Sequence, residues 1–221
     1  MERLEDLNLM GLKIYQDDEK YCFTSDAVLL SRFAHVKKGD VVADFCSGSG
    51  IVGIHLYGLN PTLINSVTLF EMQKPLFDLS VKSIKENNLE KVFSAVNCKV
   101  QDIGNEYNGV FSLITCNPPY AKVDSGEHDV NPEIDVCRRE VELKVPELLK
   151  AVSSALKYGG RFCICHRADR LIDVVFAMKE VGIEPKILQF VSGSGKTPYL
   201  FLMEGVKGGK SGLKVLNTLI N

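Results

Sequence analysis

Val41-Val42-Ala43-Asp44-Phe45-Cys46-Ser47-Gly48-Ser49-Gly50 is the stretch that decides the fold. Its first six residues form a short apolar run around one acid, which predicts a buried strand. Ser47-Gly48-Ser49-Gly50 follows as a turn, and Ile51-Val52-Gly53-Ile54-His55-Leu56 opens a helix. In a strand, glycine-rich turn and helix, backbone can approach a nucleotide-like ligand closely, because glycine has no Cβ and reaches φ values closed to other residues. The spacing is not the G-x-G-x-x-G of dinucleotide binders, so the glycines alone do not name the ligand.

Downstream the pattern repeats. Residues 66–71 predict a second strand ending in Glu71, where a carboxylate can accept both hydroxyls of a ribose. The next helix spans residues 73–88, with Pro75 early and a buried stripe of Phe77, Val81 and Ile84. A third strand over residues 93–100 leads to Gln101-Asp102. An aspartate there can accept from the amino group of an adenine ring, although the residue equally fits an ordinary loop. The fourth strand, residues 110–116, ends in Asn117-Pro118-Pro119-Tyr120. Ligands of open α/β sheets bind at this edge, and the two prolines leave a rigid backbone with few local donors. The same four residues also fit a plain strand-ending turn.

Residues 1–40 form an extension. Residues 12–15 and 20–23 predict a hairpin, and Thr24-Ser25-Asp26 offers an N-cap to a helix beginning at Ala27. After the fourth strand comes a long polar loop, residues 121–140, of a length expected for a lid or substrate-binding segment, with Arg138-Arg139 at its end. His128 within it reads as a solvent-exposed side chain. Val141, Val145, Leu148, Val152 and Leu156 mark a helix closed by Gly159-Gly160, and residues 161–166 a fifth strand. Leu171, Val174, Val175, Met178 and Val181 mark a core helix. Two final strands, 185–191 and 198–204, flank Ser192-Gly193-Ser194-Gly195-Lys196. The segment after residue 206 is basic and glycine-rich. It reads as a solvated tail or as a phosphate contact through residues such as Lys210.

The expected fold is therefore α/β and Rossmann-like. It has a mostly parallel seven-stranded sheet, an antiparallel C-terminal hairpin and helices on both faces. Residues 1–40 are an extension packed on a domain of residues 41–206, and residues 207–221 are a tail. The 221 residues carry a net charge of −2, which excludes a globally basic nucleic-acid binder and leaves only local patches for a polyanion. Seven cysteines, an odd number with no C-x-x-C, read as free thiols of a reducing, cytoplasmic compartment. Strand alternation would turn Cys163 and Cys165 away from His166, so no metal is expected there. No signal peptide or membrane-spanning run is expected.

With these residues in place, Asp44-Phe45-Cys46-Ser47-Gly48-Ser49-Gly50 resembles the cofactor loop of class I S-adenosylmethionine methyltransferases. Asn117-Pro118-Pro119-Tyr120 is similar to the motif of their amino-group-modifying branch. Residues 23–30, 166–171 and 204–209 resemble segments of the bacterial tRNA(Val) adenine-37 N6-methyltransferases of Gram-positive type. The resemblance implies S-adenosylmethionine as cofactor and tRNA as partner, with a monomer favoured. It implies that Asp44, Cys46, Ser47, Gly48, Ser49 and Gly50 surround the methionine part, with Thr24 and Asp26 nearby. Glu71 would take the ribose, Met72 would flank the adenine, and Asp102 with Ile103 would hold its amino edge. Asn117 would touch the cofactor and, with Pro118 and Pro119, form the catalytic motif. Tyr120 would stack on a flipped base, and Arg138, Arg139 and Lys210 would form a basic rim for tRNA. Phe45-Cys46-Ser47 departs from the family, which places smaller residues there.

Three other readings compete. One is methylation of another planar amino group, either rRNA guanine N2 or a protein glutamine. Forty residues before the fold leave no room for the helical domain that glutamine-modifying enzymes usually carry. Another is a cofactor-retaining RNA-binding module without catalysis. A dinucleotide-dependent oxidoreductase is the third, and it leaves the fourth-strand motif unexplained.

Overall fold

The computed structural model describes residues 1–18, 25–118 and 143–221. An N-terminal hairpin of β1 (Glu2–Asp6) and β2 (Lys13–Asp17) precedes α1 (Ser25–Phe33). Then follow β3 (Asp40–Phe45), α2 (Ile51–Leu59), β4 (Ile64–Glu71), α3 (Lys74–Glu86), β5 (Phe93–Asn97) and β6 (Phe111–Cys116). The remainder is α4 (Val145–Ala155), β7 (Leu156–Arg167), α5 (Leu171–Glu180), β8 (Ile183–Ser192) and β9 (Leu200–Lys207), closed by β10 (Lys214–Val215) and β11 (Leu219–Ile220).

The main sheet runs β5-β4-β3-β6-β7-β9-β8, with β10 and β11 on the outer edge of β8. Strands β5, β4, β3, β6 and β7 pair in parallel, and β9 runs antiparallel to both β7 and β8. The seven expected strands are present, and the segment after residue 207 adds two short ones. From β3 the chain winds outward to β5, then crosses back to β6 on the other side. That reversal opens a crevice at the C-terminal ends of β3 and β6, where ligands of such sheets bind.

Alternation along the strands sorts the core onto two faces. Val42, Val67, Leu69, Leu113, Cys163 and Cys165 pack with α1, α2 and α3, while Ala43, Phe45, Phe70, Ile114, Phe162 and Ile164 pack under α4 and α5. Each large apolar side chain so buried contributes roughly 1.5–3 kcal/mol. Cys116, Cys163 and Cys165 are buried free thiols, whereas Cys46 and Cys98 are half-buried. His166 turns to the face opposite Cys165 and stacks on Phe201, ring centroids 6.2 Å apart. No described helix is long and apolar enough to cross a membrane.

Several local expectations are corrected. Residues 20–23, the expected partner of β2, lie outside the described residues, and β2 pairs antiparallel with β1, an upstream strand not expected from the sequence. Its sequence, ERLED, is mostly exposed and carries no apolar alternation to announce it. The buried stripe of α3 is Leu76, Leu79, Ser80, Ser83 and Ile84, so Phe77 and Val81 are not its centre. Two serines hide there because Ser80 Oγ donates to the Phe77 carbonyl (2.7 Å) and Ser83 Oγ to the Leu79 carbonyl (2.9 Å). The third strand stops at Asn97, and residues 100–102 make a short 3₁₀ turn. Helix α4 ends at Ala155 rather than at Gly159-Gly160, because Lys207 Nζ donates to the carbonyls of Ser153 and Leu156 (2.5 and 2.8 Å), and Leu156 pairs with Phe111. Val141 lies outside the described residues.

At the opposite, N-terminal edge the three central strands are clamped together. Arg161 Nη2 on β7 donates to both carboxylate oxygens of Asp40 on β3, at 2.7 and 2.6 Å. Ser112 Oγ on β6 donates to the same carboxylate (2.7 Å), as does the Lys37 backbone N–H (2.7 Å), and Arg161 Nη1 donates to the His35 carbonyl. Burial alone would push the Asp40 carboxyl up, but the Lys37, Arg161 and Ser112 contacts more than offset it and hold it below the ordinary value.

Candidate cofactor and active site

Phe45 is in register with Phe70 on one side and Cys116 on the other. The next residue on each strand therefore stands at the same level: Cys46, Glu71 and Asn117. Three adjacent strand ends thus bring the glycine loop, the acid and the Asn-Pro motif into one row.

The loop after β3 is built on left-handed backbone. Cys46 has φ 57°, Gly48 56° and Gly50 93°. For Cys46 this costs about 1–2 kcal/mol, since its Cβ crowds the following carbonyl. A Cβ on Gly50 would stand 2.9 Å from Leu69 Cδ1, and one on Gly53 would stand 2.6 Å from Leu69 Cδ2. These two glycines let α2 lie against β4. A Cβ on Gly48 would meet nothing within 4 Å among the described residues.

Asp44 lies beneath the loop, fully buried. Its carboxylate accepts from Thr115 Oγ1 (2.7 Å) and from the Gly53 N–H (3.1 Å), tying β6 and the first turn of α2 to β3. Burial pushes its pKa up to about 7, with the Glu71 charge adding to the rise and the two hydrogen bonds opposing it. Because the folded value lies above the unfolded one, Asp44 contributes stability that is complete below about pH 4 and lost as pH rises through about 7. Asp44→Asn, whose amide can donate to Thr115 and accept from Gly53, should flatten that decline. Urea midpoints taken from pH 5 to 8 check this; parallel slopes in the two proteins would show that Asp44 is not the titrating group.

Glu71 is also buried, and its carboxyl is raised by burial, partly offset by the Gln73, Gly48 and Met72 N–H groups. Oε2 accepts from the Gly48 N–H and Oε1 from the Gln73 N–H, each at 2.8 Å. A carboxylate offers about four lone-pair sites, so these N–H groups leave it capacity to accept from a hydroxyl. Asn97 Nδ2, which sequence reasoning missed, donates to the carbonyls of Glu71 (2.8 Å) and Met72 (3.0 Å) and fixes the turn around them. Its only signal was an amide in register with Glu71 at a strand end.

Met72 is half-buried, Asp102 exposed and Ile103 half-buried, the last two lining a groove of about 610 Å³ shared with Lys99, Glu147 and Lys150. Asn117 is half-buried and Pro118 buried. Asp26 stands in the first turn of α1. Thr24, Pro119, Tyr120, Arg138, Arg139 and the loop with His128 lie outside the described residues. Lys210 is not gathered with the described site residues at the strand ends. Strand β9 descends from Leu200, opposite Arg167, to Val206, opposite Arg161, and Lys210 follows at the N-terminal edge, where its carbonyl accepts from Lys186 Nζ (3.0 Å).

The methyltransferase small domain family matches residues 23–181. The chain belongs to that family. A tRNA1(Val) (adenine(37)-N6)-methyltransferase from Shewanella putrefaciens is 25% identical over 142 residues, 62% of this chain and 56% of that protein. A release factor glutamine methyltransferase from Mycoplasma mycoides is 31% identical over 102 residues, 46% of this chain and 35% of its own. The match thus spans about a third to just over half the length of these relatives. Among solved structures, a predicted O-methyltransferase from Agrobacterium tumefaciens superposes with TM-score 0.69 at 16% identity, covering 88% of this chain and 86% of its own. M. jannaschii TYW2, solved in complex with AdoMet, gives TM-score 0.63 at 13% identity over 92% of this chain and 84% of its own.

The residues fit a methyltransferase cofactor on this structure's own terms. Ser47 Oγ is buried in the loop with no hydrogen-bond partner among the described residues. A buried hydroxyl left so costs roughly 1–3 kcal/mol, which a polar ligand would recover.

Proposed function

We propose that the protein is an S-adenosylmethionine-dependent methyltransferase that modifies N6 of adenine in tRNA, at adenine 37 beside the anticodon of tRNA(Val). The row of Cys46, Glu71 and Asn117 on neighbouring strand ends carries this reading. It sets the loop for the cofactor's amino-acid part and the acid for its ribose directly beside the motif for a planar amine. When bound, the cofactor supplies a methyl group already activated by its sulfonium. The protein therefore needs no covalent nucleophile, and Cys116, buried with its thiol pushed well up by that burial, is suited to none.

Asn117 and Pro118 hold the acceptor nitrogen. Their side-chain and backbone carbonyls accept the two N–H bonds of the adenine amine, so its lone pair is aimed at the methyl rather than left in the ring. Asp102 and Ile103 take the cofactor's adenine from the groove wall. Tyr120 stacks on a base flipped from the anticodon loop, a contact worth about 1–3 kcal/mol. Arg138 and Arg139 follow the catalytic motif in the chain and supply a basic rim. Free thiols fit a cytoplasmic enzyme.

Labelled-methyl transfer to unmodified total tRNA, followed by nucleoside mass spectrometry, tests the reading. N6-methyladenosine from tRNA(Val) is expected. Methylated guanine would retain cofactor and fold but move the substrate. The relative from Mycoplasma mycoides supports a second reading, glutamine methylation. Transfer to a release factor with none to tRNA would establish it.

A further inference from the structure

The N-terminal hairpin reaches the glycine loop through a buried amide. Along β2, Ile14 and Gln16 both face inward, at 0% and 1% exposure. Gln16 Nε2 donates to Ser49 Oγ and to the Tyr15 carbonyl (3.2 Å). The hairpin is docked independently of that amide. The Lys13 N–H donates to Asn87 Oδ1 (2.8 Å), Asn87 Nδ2 returns a bond to the Lys13 carbonyl (2.7 Å), and the Tyr15 N–H donates to Ser83 Oγ (3.0 Å). Helix α3 therefore fixes β2, and β2 presents Gln16 to the loop.

The chemistry of that contact is directional. An amide NH₂ only donates, so Ser49 Oγ must spend a lone pair on it. The single Ser49 proton then cannot point at Gln16 and stays available to an acceptor at the loop. Ser47 Oγ, two residues away and without a partner among the described residues, is a second hydroxyl donor. Two hydroxyls free to donate suit a group that only accepts, and an ionised carboxylate is such a group.

We infer that Gln16 is a positioning residue that orients the Ser49 hydroxyl toward the carboxylate of the cofactor's amino-acid part. The inference rests on the cofactor assigned above. It makes the hairpin part of the binding site rather than a structural appendage.

Calorimetry with two probes tests it. S-adenosylhomocysteine carries the carboxylate, and 5′-methylthioadenosine keeps the nucleoside and sulfur but lacks the amino-acid part. In Gln16→Leu, affinity for S-adenosylhomocysteine should fall by about tenfold or more, equivalent to roughly 1.4 kcal/mol. Affinity for methylthioadenosine should be unchanged. Gln16→Glu, which would accept the Ser49 proton, should lose at least as much for the first ligand. The double variant Gln16→Leu/Ser49→Ala should bind no worse than Ser49→Ala alone. Equal losses for both ligands, or for neither, would overturn the inference while leaving the cofactor assignment standing. Wild-type protein that binds neither ligand would overturn the cofactor assignment and this inference with it.

Discussion

Asn117→Ala is expected to slow methyl transfer by roughly 100- to 1,000-fold, the range for removing one hydrogen-bonding partner that acts in the transition state. Binding of S-adenosylhomocysteine should survive. Asn117 follows β6, whereas the loop follows β3 and Glu71 ends β4, and the loop and the acid are joined directly by the Gly48 N–H donating to Glu71. Alanine removes a carbonyl acceptor and leaves Pro118 to hold its backbone course. The adenine amine would keep one acceptor of two, and its lone pair would remain delocalised into the ring. Single-turnover rates combined with calorimetry separate these effects. Affinity lost in step with rate would place Asn117 in the cofactor site rather than at the reacting amine.

The second large effect is expected at the other edge of the sheet and on stability. Arg161→Met should destabilise the fold by about 3–5 kcal/mol, the cost of stranding a buried charge. Both partners are only 5% exposed, so solvent cannot replace the guanidinium at Asp40. Pairing the change with Asp40→Asn should recover much of the loss, because no bare carboxylate remains. Acid should also shrink the penalty. The Asp40 carboxyl is held low in the folded protein, so its stabilisation is present above the unfolded value near 4 and lost as pH falls through the folded one. Urea midpoints of the single and double variants at pH 7 decide the matter. A single-variant loss below about 1 kcal/mol would mean the pair behaves as a surface ion pair.

The parts of the fold that could be read in sequence were those with strong apolar runs. The runs expected at 41–46, 66–71 and 110–116 fold as the strands Asp40–Phe45, Ile64–Glu71 and Phe111–Cys116, and the glycine turn and helix follow the first of them. Where burial is polar, the reading failed. Ser80 and Ser83 satisfy themselves within α3, and Ser83 also receives the Tyr15 N–H, so their places in the stripe leave no hydrophobic trace. Gln16 and Asn97 take their importance from partners 33 and 26 residues away, which no local window contains. Strand β1 is charged and exposed, and β10 and β11 hold two residues each, too few for a period. Lys210 was grouped with the site by charge alone, and the reversed direction of β9 carries it to the far edge.

That reversal also governs how the chain can be assembled during synthesis. Strand β9 lies between β7 and β8, so neither has its neighbour until residues 200–207 have left the ribosome. Until then β7 and β8 each present an unpaired rim of N–H and C=O groups, the template on which nascent chains pair wrongly. Insertion of β9 completes fifteen register pairs at once, seven with β7 and eight with β8. Any delay before residues 200–207 have left the ribosome would prolong that vulnerable state.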